Sequence, residues 1–453
     1  MKKISVLLFL APVFFTTLIA QKILPYGPVP SVRQMKWQEM EFYLFMHFGP
    51  NTFTDLEWGK GTEHEEVFHP TALDCRQWCR IAKAAGAKGI IITAKHHDGF
   101  CLWPTKFSKH TIAQSSWKDG KGDVLQELKE ACMEYGLKMG VYLSPWDRNH
   151  PSYGTPAYND VFVNMMREIT ARYGPFFEFW WDGANGEGPN GKKQVYDFPR
   201  FEKVMRAIAP NTVVFSDIGP DIRWVGNENG IAGDPNWNLL DTAGFSRGSG
   251  GPSEDSLNHG NINGHNWIPA ECDVSIRPGW FYHSQEDTLV KSPETLFQLY
   301  LKSVGRGSSL LLNVPPDRRG LINEHDSLAL VGFAKLRKES FSKPVVSKKF
   351  PINAQGSSEV YKVSVGSRRK INCIVLKEPV ELGQRIEAFS VQLIRDGKTV
   401  GELKGSTIGH KRILTFPEAA VDSFNIVILQ QKTNALLREV SAYLISGALL
   451  ERN

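Results

Sequence analysis

The sequence predicts a (β/α)8 barrel followed by a small antiparallel β-sandwich. Three observations predict it. Apolar, strand-like runs alternate with amphipathic helical stretches over about 300 residues, the size and order of a barrel. Polar and aromatic residues follow almost every one of those runs, whereas a doubly wound sheet gathers its ligand loops at one switch point. From about Lys348 the texture changes to short runs with period-two alternation.

The first twenty residues, MKKISVLLFLAPVFFTTLIA, read as a secretory signal peptide. Lys2 and Lys3 form a basic start, an apolar run follows, and Leu18-Ile19-Ala20 offers a small-residue cleavage site. No cysteine follows the run, so a lipid anchor is not expected, and the polar chain beyond it argues against a membrane span. The format suits bacterial export to the periplasm or outside. The formal charge is +5, two units of which leave with the peptide, and the remaining cations are scattered. That argues against nucleic acid as the main ligand. The six cysteines read as buried thiols.

The catalytic domain is placed at 21–343. EFYLFMHF (41–48) reads as a buried strand, and a helix is expected from about Thr71 to Ala85, closed by Gly86. GIIITA (89–94) has the β-branched texture of a parallel strand. Asp123 opens the helical pattern DVLQELKEACMEYG, which stops at Gly136. LKMGVYLS (137–144) is strand, 157–173 helix, and FFEFWW strand again. Another helix leads to TVVFSD (212–217). IPAECDVS (268–275), a helix near 293–305 and SLLLNVP (309–315) close the series. The strand between 217 and 268 is not placed, and a Gly/Asn/Ser-rich loop occupies 226–265. The sandwich is placed at 344–453, where Phe389, Val391 and Leu393 alternate with Ser390 and Gln392.

A barrel carries its functional residues at the C-terminal ends of its strands. Those ends read His47, His96-His97-Asp98, Tyr142 with Trp146-Asp147, Asp182, Asp217, Glu271 and Asn313. Carboxylates, histidines and tryptophans around one mouth suit a sugar, because aromatic faces stack on its C–H surfaces and carboxylates act on glycosidic oxygens. Asp182 ends the apolar strand FFEFWW and is followed by glycine, the setting of a nucleophile with room for a ligand. The partner acid is Glu228, in the loop RWVGNENG after the SD strand end, or Glu271 at the PAECDVS strand end. Adjacent side chains on a strand point opposite ways, so His96-His97 is not expected to hold a metal. HEEVFH lacks zinc-protease spacing, and GEGPNGKK replaces the Ser/Thr of a phosphate loop by lysine.

Seven runs, in order over roughly residues 30–340, carry a resemblance: FMHFGPNTFTDLEWG, AKHHDGFCLWPTKFS, GKGDVLQELKEACMEYGLKMGVYLSPWDRN, FEFWWDGANG, FSDIGPDIRWVGNENG, VSIRPGWFYH and LLLNVPPDRRGLI. Together they resemble glycoside hydrolase family 29, the retaining α-L-fucosidases. WDGANG, RWVGNE and PAECDVSIRPGWFYH resemble the subfamily specific for α-1,3/α-1,4-linked fucose in branched, Lewis-type glycans. The resemblance implies no cofactor, and a fucosylated oligosaccharide or glycoconjugate as substrate. It implies Asp182 as nucleophile and tips the acid/base toward Glu228, with Glu271 in reserve. It further implies sugar contacts from His47, His96, His97, Tyr142, Arg277 and Trp280, and a cupping pair, Glu57-Trp58. Trp224, Asp221 and Trp237 are expected around the galactose branch.

Overall fold

The computed structural model describes residues 23–247, 250–353 and 356–450. The leader lies outside the described residues. Helix α1 (Val32–Gln38), capped by Ser31 and Gln34 in a reciprocal box, leads into strand β1 (Phe42–Met46) and the short helix α2 (Pro50–Thr54). Then come α3 (Cys75–Ala84), β2 (Gly89–Lys95), α4 (Val124–Tyr135), β3 (Lys138–Leu143), α5 (Ala157–Tyr173) and β4 (Glu178–Trp180). The series continues with α6 (Phe198–Ile208), β5 (Val213–Phe215) and β6 (Arg223–Trp224), and a small hairpin of β7 (Leu239–Leu240) and β8 (Asn266–Trp267) encloses α7 (Glu254–His259). Strand β9 (Ala270–Ser275), α8 (Pro293–Lys302), β10 (Ser309–Asn313) and α9 (Glu324–Phe341) complete the barrel. Helix α3 starts at Cys75, later than expected, because the Asp74 side chain caps the Arg76 N–H at 2.8 Å.

Eight strands pair in parallel in the order β5-β4-β3-β2-β1-β10-β9-β6. The ring closes through a single bridge, Phe215 to Ile222. No helix separates β5 from β6. The strand left unplaced between 217 and 268 is β6, the first two residues of the RWVGNENG motif, just before the long loop and too short to show any periodicity. Glu228 follows this sixth strand rather than the fifth.

Alternation sorts the strand residues into two cores. Tyr43, Phe45, Ile91, Tyr142, Trp180, Val213, Phe215 and Leu311 fill the barrel interior. Phe42, Leu44, Met46, Ile90, Ile92, Phe179 and Trp181 face the helices. The two tryptophans of FFEFWW thus serve different cores: Trp180 stacks on Phe215 at 3.9 Å inside, and Trp181 meets Phe198 and Phe201 of α6 outside.

At the closed end of the barrel two carboxyl groups are buried together. Trp37 donates to Glu178 at 2.8 Å; Tyr43 and Trp180 donate to Glu271. Glu271 is the second residue of β9, so it lies near the start of its strand and not at the C-terminal end where the sequence reading put it.

The remaining strands, β11 (Val346–Lys349), β12 (Val360–Lys377), β13 (Ile386–Arg395), β14 (Lys398–Gly405), β15 (Arg412–Gln431) and β16 (Glu439–Tyr443), form one antiparallel sheet. The long strands β12 and β15 shift register near Ser364/Arg369 and Ile371/Cys373 and run through both halves of it. Residues from both halves, among them Tyr361, Phe389, Ile374 and Val440, share one apolar cluster, which makes a sandwich from a single sheet. This domain grips the stretch between β6 and β9. Thr407 accepts from the Asn236 N–H at 3.0 Å, Gln384 accepts from the Asn238 N–H at 2.8 Å, and Arg412 pairs with Asp234. Asn236 in turn accepts from Arg223 of β6 at 3.0 Å. All six cysteines are buried free thiols. Among the described residues no helix is long and apolar enough to cross a membrane.

Burial pushes the Glu271 carboxyl up to about 7, and burial together with the Glu271 charge pushes Glu178 well above the usual range. Stability drawn from a neutral Glu271 is full below about pH 4.5 and is lost as the pH rises through about 7. Glu271→Gln should therefore gain on wild type in melting temperature as the pH rises across that window, measured by calorimetry. Curves that run parallel would contradict a neutral, buried Glu271.

Candidate active site

The inward files of side chains end at the C-terminal mouth: Tyr43-Phe45-His47 on β1, Glu178-Trp180-Asp182 through β4, Val213-Phe215-Asp217 through β5, and Glu271-Asp273-Ser275 on β9. They enclose a cavity of about 170 Å³ lined by Phe45, His47, Glu57, Trp58, His96, His97, Tyr142, Trp180, Asp182, Ala184, Glu228, Asp273 and Trp280. A volume of that size suits one monosaccharide.

Asp182 stands one residue past Trp180-Trp181, where the chain leaves β4. Its Oδ1 accepts from the Ala184 N–H at 2.7 Å and its Oδ2 from the Tyr142 hydroxyl at 3.0 Å. Both donors fix the orientation of the carboxylate. Gly183 is required by a close approach: a Cβ there would lie 1.9 Å from Asp217 Oδ2. Burial, then the Asp182 charge, pushes Asp217 up to about 7.

The histidine tautomers follow from their partners. Asn313 donates through Nδ2 to the Trp280 carbonyl at 2.8 Å, so its Oδ1 accepts from His47 Nδ1–H at 2.9 Å. Ser144 donates its one hydroxyl proton to the Trp146 carbonyl at 2.9 Å, so it accepts from His97 Nδ1–H at 2.8 Å. Each imidazole then presents a bare Nε2, an acceptor for a hydroxyl proton. Burial pushes His47 and His97 down to about 4 and His96 well below its ordinary value, so all three are neutral at neutral pH.

His96 and His97 both line the cavity, their ring centroids 4.1 Å apart. The expectation that adjacent side chains diverge does not hold here, because β2 ends at Lys95 after a register shift at Thr93. His97 packs against Trp146, and half-exposed Trp58 stands edge-on to both. Among the described residues no group of three or more His, Cys, Asp or Glu could hold a metal ion.

Glu57 lines the cavity, yet its oxygens mainly hold the opposite wall. They accept from the Trp280 and Phe281 N–H groups at 2.8 and 3.0 Å. His283 bridges Glu57 and Asp55 at 2.7 and 2.8 Å; burial opposes its charge, but the two carboxylates prevail and raise its pKa. The Trp280 wall so anchored donates its indole N–H to Glu228 Oε2 at 3.1 Å. Glu228 is exposed at the rim. Its loop is tied at both ends rather than hinged open: Asn258 Nδ2 donates to the Val225 and Ile231 carbonyls at 3.1 and 3.0 Å.

Five expected residues do not line the cavity. Glu271 is fully buried below Trp180. Arg277 is fully buried between Asp326 and Asp287, where it braces the 277–287 segment. Asp221 is paired with Arg33 and Arg206 and accepts from the Val214 N–H. Trp237 is buried beneath Lys432 of the C-terminal domain. Trp224 is half-buried beside the cavity and reaches Asp273. Phe45, Trp180, Ala184 and Asp273 were missed. Alternation along PAECDVS was the signal for Asp273, since it places Glu271, Asp273 and Ser275 on one face.

The α-L-fucosidase family model matches residues 28–336. The chain is 37% identical to Alpha-L-fucosidase 1 of Arabidopsis thaliana over 95% of its length and 90% of that protein. A solved glycoside hydrolase 29 family member from an unknown rumen bacterium is 40% identical, with a TM-score of 0.86 over 93% of this chain and 78% of that one. A Ruminococcus gnavus GH29 fucosidase solved in complex with fucose is 27% identical, with a TM-score of 0.82 over 96% and 99%.

Imidazole resonances test the electrostatics directly. At pH 6, where an unburied histidine is mixed, His47 and His97 should be fully deprotonated, with protonation only near pH 4. An imidazolium signal from either at pH 6 would contradict the burial argument.

Proposed function

Because this chain belongs to the α-L-fucosidase family, glycoside hydrolase family 29, and so hydrolyses α-L-fucosides, we propose that it releases α-1,3- and α-1,4-linked fucose from branched glycan ends with retention of configuration. The observation that carries the reading is the oriented Asp182 carboxylate, facing a one-sugar cavity whose rim holds the Glu228 carboxyl.

In this reading Asp182 attacks the anomeric carbon from below while Glu228 gives its proton to the departing oxygen. The Trp280 indole engages one oxygen of Glu228 and leaves the other to carry that proton. A glycosyl ester forms on Asp182. Glu228, now a base, takes a proton from water, which attacks the same carbon and releases fucose. His47 and His97 accept hydroxyl protons through Nε2 without adding charge beside the oxocarbenium-like transition state. Phe45, Trp180 and Trp280 supply apolar walls for the sugar's C–H face and exclude water.

The branched-end preference rests on the RWVGNE and PAECDVSIRPGWFYH runs and on the exposed setting of Glu228, whose leaving oxygen departs toward open solvent and Trp224. Export to the periplasm or outside belongs to the same reading and rests on the leader sequence; amino-terminal sequencing of the mature protein that begins at Met1 would overturn it.

Asp182→Ala should lose roughly three or more orders of magnitude in kcat/KM on an aryl α-L-fucoside. Near-wild-type turnover would remove Asp182 from the role. Azide should rescue Glu228→Ala and yield the α-fucosyl azide, the product of two inversions, and should not rescue Glu271→Ala. The reverse pattern would move the acid/base to Glu271. Fucose release should be greatest from the α-1,3- and α-1,4-branched Lewis trisaccharides. Equal or better release from a linear α-1,2-fucosyl galactoside or from the aryl fucoside would leave a broad-specificity α-L-fucosidase.

A further inference from the structure

Of the carboxyl groups at the barrel mouth, Asp273 is left without a task by the double displacement. It sits in the middle of the inward file of β9, lines the cavity and is only 4% exposed. Its neighbours on that file are engaged. Below, Glu271 accepts from Tyr43 and Trp180; above, Ser275 donates to the Gly279 carbonyl at 2.6 Å and accepts from Asn313 at 2.9 Å. Asp273 Oδ1 is buried and has no hydrogen-bond partner within the protein. A buried polar atom left unpaired carries the full cost of its lost hydration, and native folds keep such atoms where something else completes them. Trp224 bonds the same carboxyl from one side, and the cavity that Asp273 lines borders it on another.

We infer that Asp273 is a further sugar-contacting residue, whose carboxyl group holds one hydroxyl of the bound fucose. The inference rests on the fucosidase reading of the same cavity. Asp273 enters from β9, three places round the sheet from β2, whose end carries His96 and His97. The sugar is thereby held by polar groups from two sides, with Phe45 and Trp180 between them. The chemistry of the two sides differs. The imidazoles of His47 and His97 offer bare acceptors. Burial, then the charges of Glu271 and Glu228, raise the Asp273 pKa well above the carboxylate range. A neutral carboxyl both donates and accepts, which matches a hydroxyl that must do the same. It also adds no negative charge beside Glu228, so it does not oppose the return of that residue to its ionised form.

The test compares wild type, Asp273→Ala and Asp273→Asn on nitrophenyl α-L-fucoside and its three monodeoxy analogues. Asp273→Ala should lose roughly ten- to hundred-fold in kcat/KM on the parent compound. On one of the three deoxy analogues, the one lacking the contacted hydroxyl, the penalty should shrink to within about threefold. Asp273→Asn, which keeps a donor and an acceptor, should recover most of the loss. An equal penalty on all four substrates would make Asp273 a packing or leaving-group residue and overturn the inference; so would no penalty on the parent. Should Asp273→Ala fail to fold, Asp273→Ser takes its place in the same comparison. Wild-type turnover of the parent checks the fucosidase reading separately. Were it absent, calorimetric binding of L-fucose to wild type and to the Asp273 variant still reads the contact, and equal affinities would overturn it.

Discussion

Trp180 is the plate on which the site is built. Its indole lies flat on Phe215 at 3.9 Å, against Tyr142 at 5.3 Å and Phe45 at 5.6 Å, and donates downward to Glu271 at 2.8 Å. Those contacts close the barrel interior below and leave a floor above. Two of the strands that touch the plate deliver their next inward residue to the cavity, His47 after Phe45 and Asp182 after Trp180, and Asp217 follows Phe215 beneath Gly183. A carboxylate therefore stands at the end of a greasy strand because the grease is what holds it at a fixed height. A register slip of one residue would turn Asp182 toward the helices and Trp181 into the barrel.

The second constraint is charge. The interior holds Glu178, Glu271, Asp273 and Asp217, all pushed upward by burial, and three imidazoles pushed downward. Burial favours the neutral form of each, whichever sign it would otherwise carry. Asp182 stands among them with two donors, Tyr142 and the Ala184 N–H, fixing its orientation.

The barrel strands, most helices, the C-terminal sheet and the core of the cavity were legible in the sequence, because period and burial agree there. His47, His97, Trp58 and Trp280 stand where strand ends and loops were read. What escaped had physical causes. Strand β6 is two residues long, below the reach of any periodic signal. The place of Glu271 on its strand depends on where pairing begins, which one chain does not reveal. Arg277, Asp221 and Trp237 carry the residue types of a binding site, but the tertiary fold buries them against partners far away in the chain: Asp326 for Arg277, Arg33 for Asp221, Lys432 for Trp237. Asp273 was concealed by its neighbour, since attention to Glu271 as a lone acid passed over the file both belong to.

The grip of the C-terminal sheet on the stretch between β6 and β9 has an evolutionary consequence. Thr407 and Gln384 fasten the backbone of Asn236 and Asn238, Asn236 fastens Arg223, and Arg223 begins the short strand from which the Glu228 loop departs. The sheet is thus an outer buttress of the Glu228 loop, added to the pairing of β6 with β9. Exchanging the sheet for another fold would remove these anchors from the stretch that supports the sixth strand, so the two domains constrain each other's sequence where they meet.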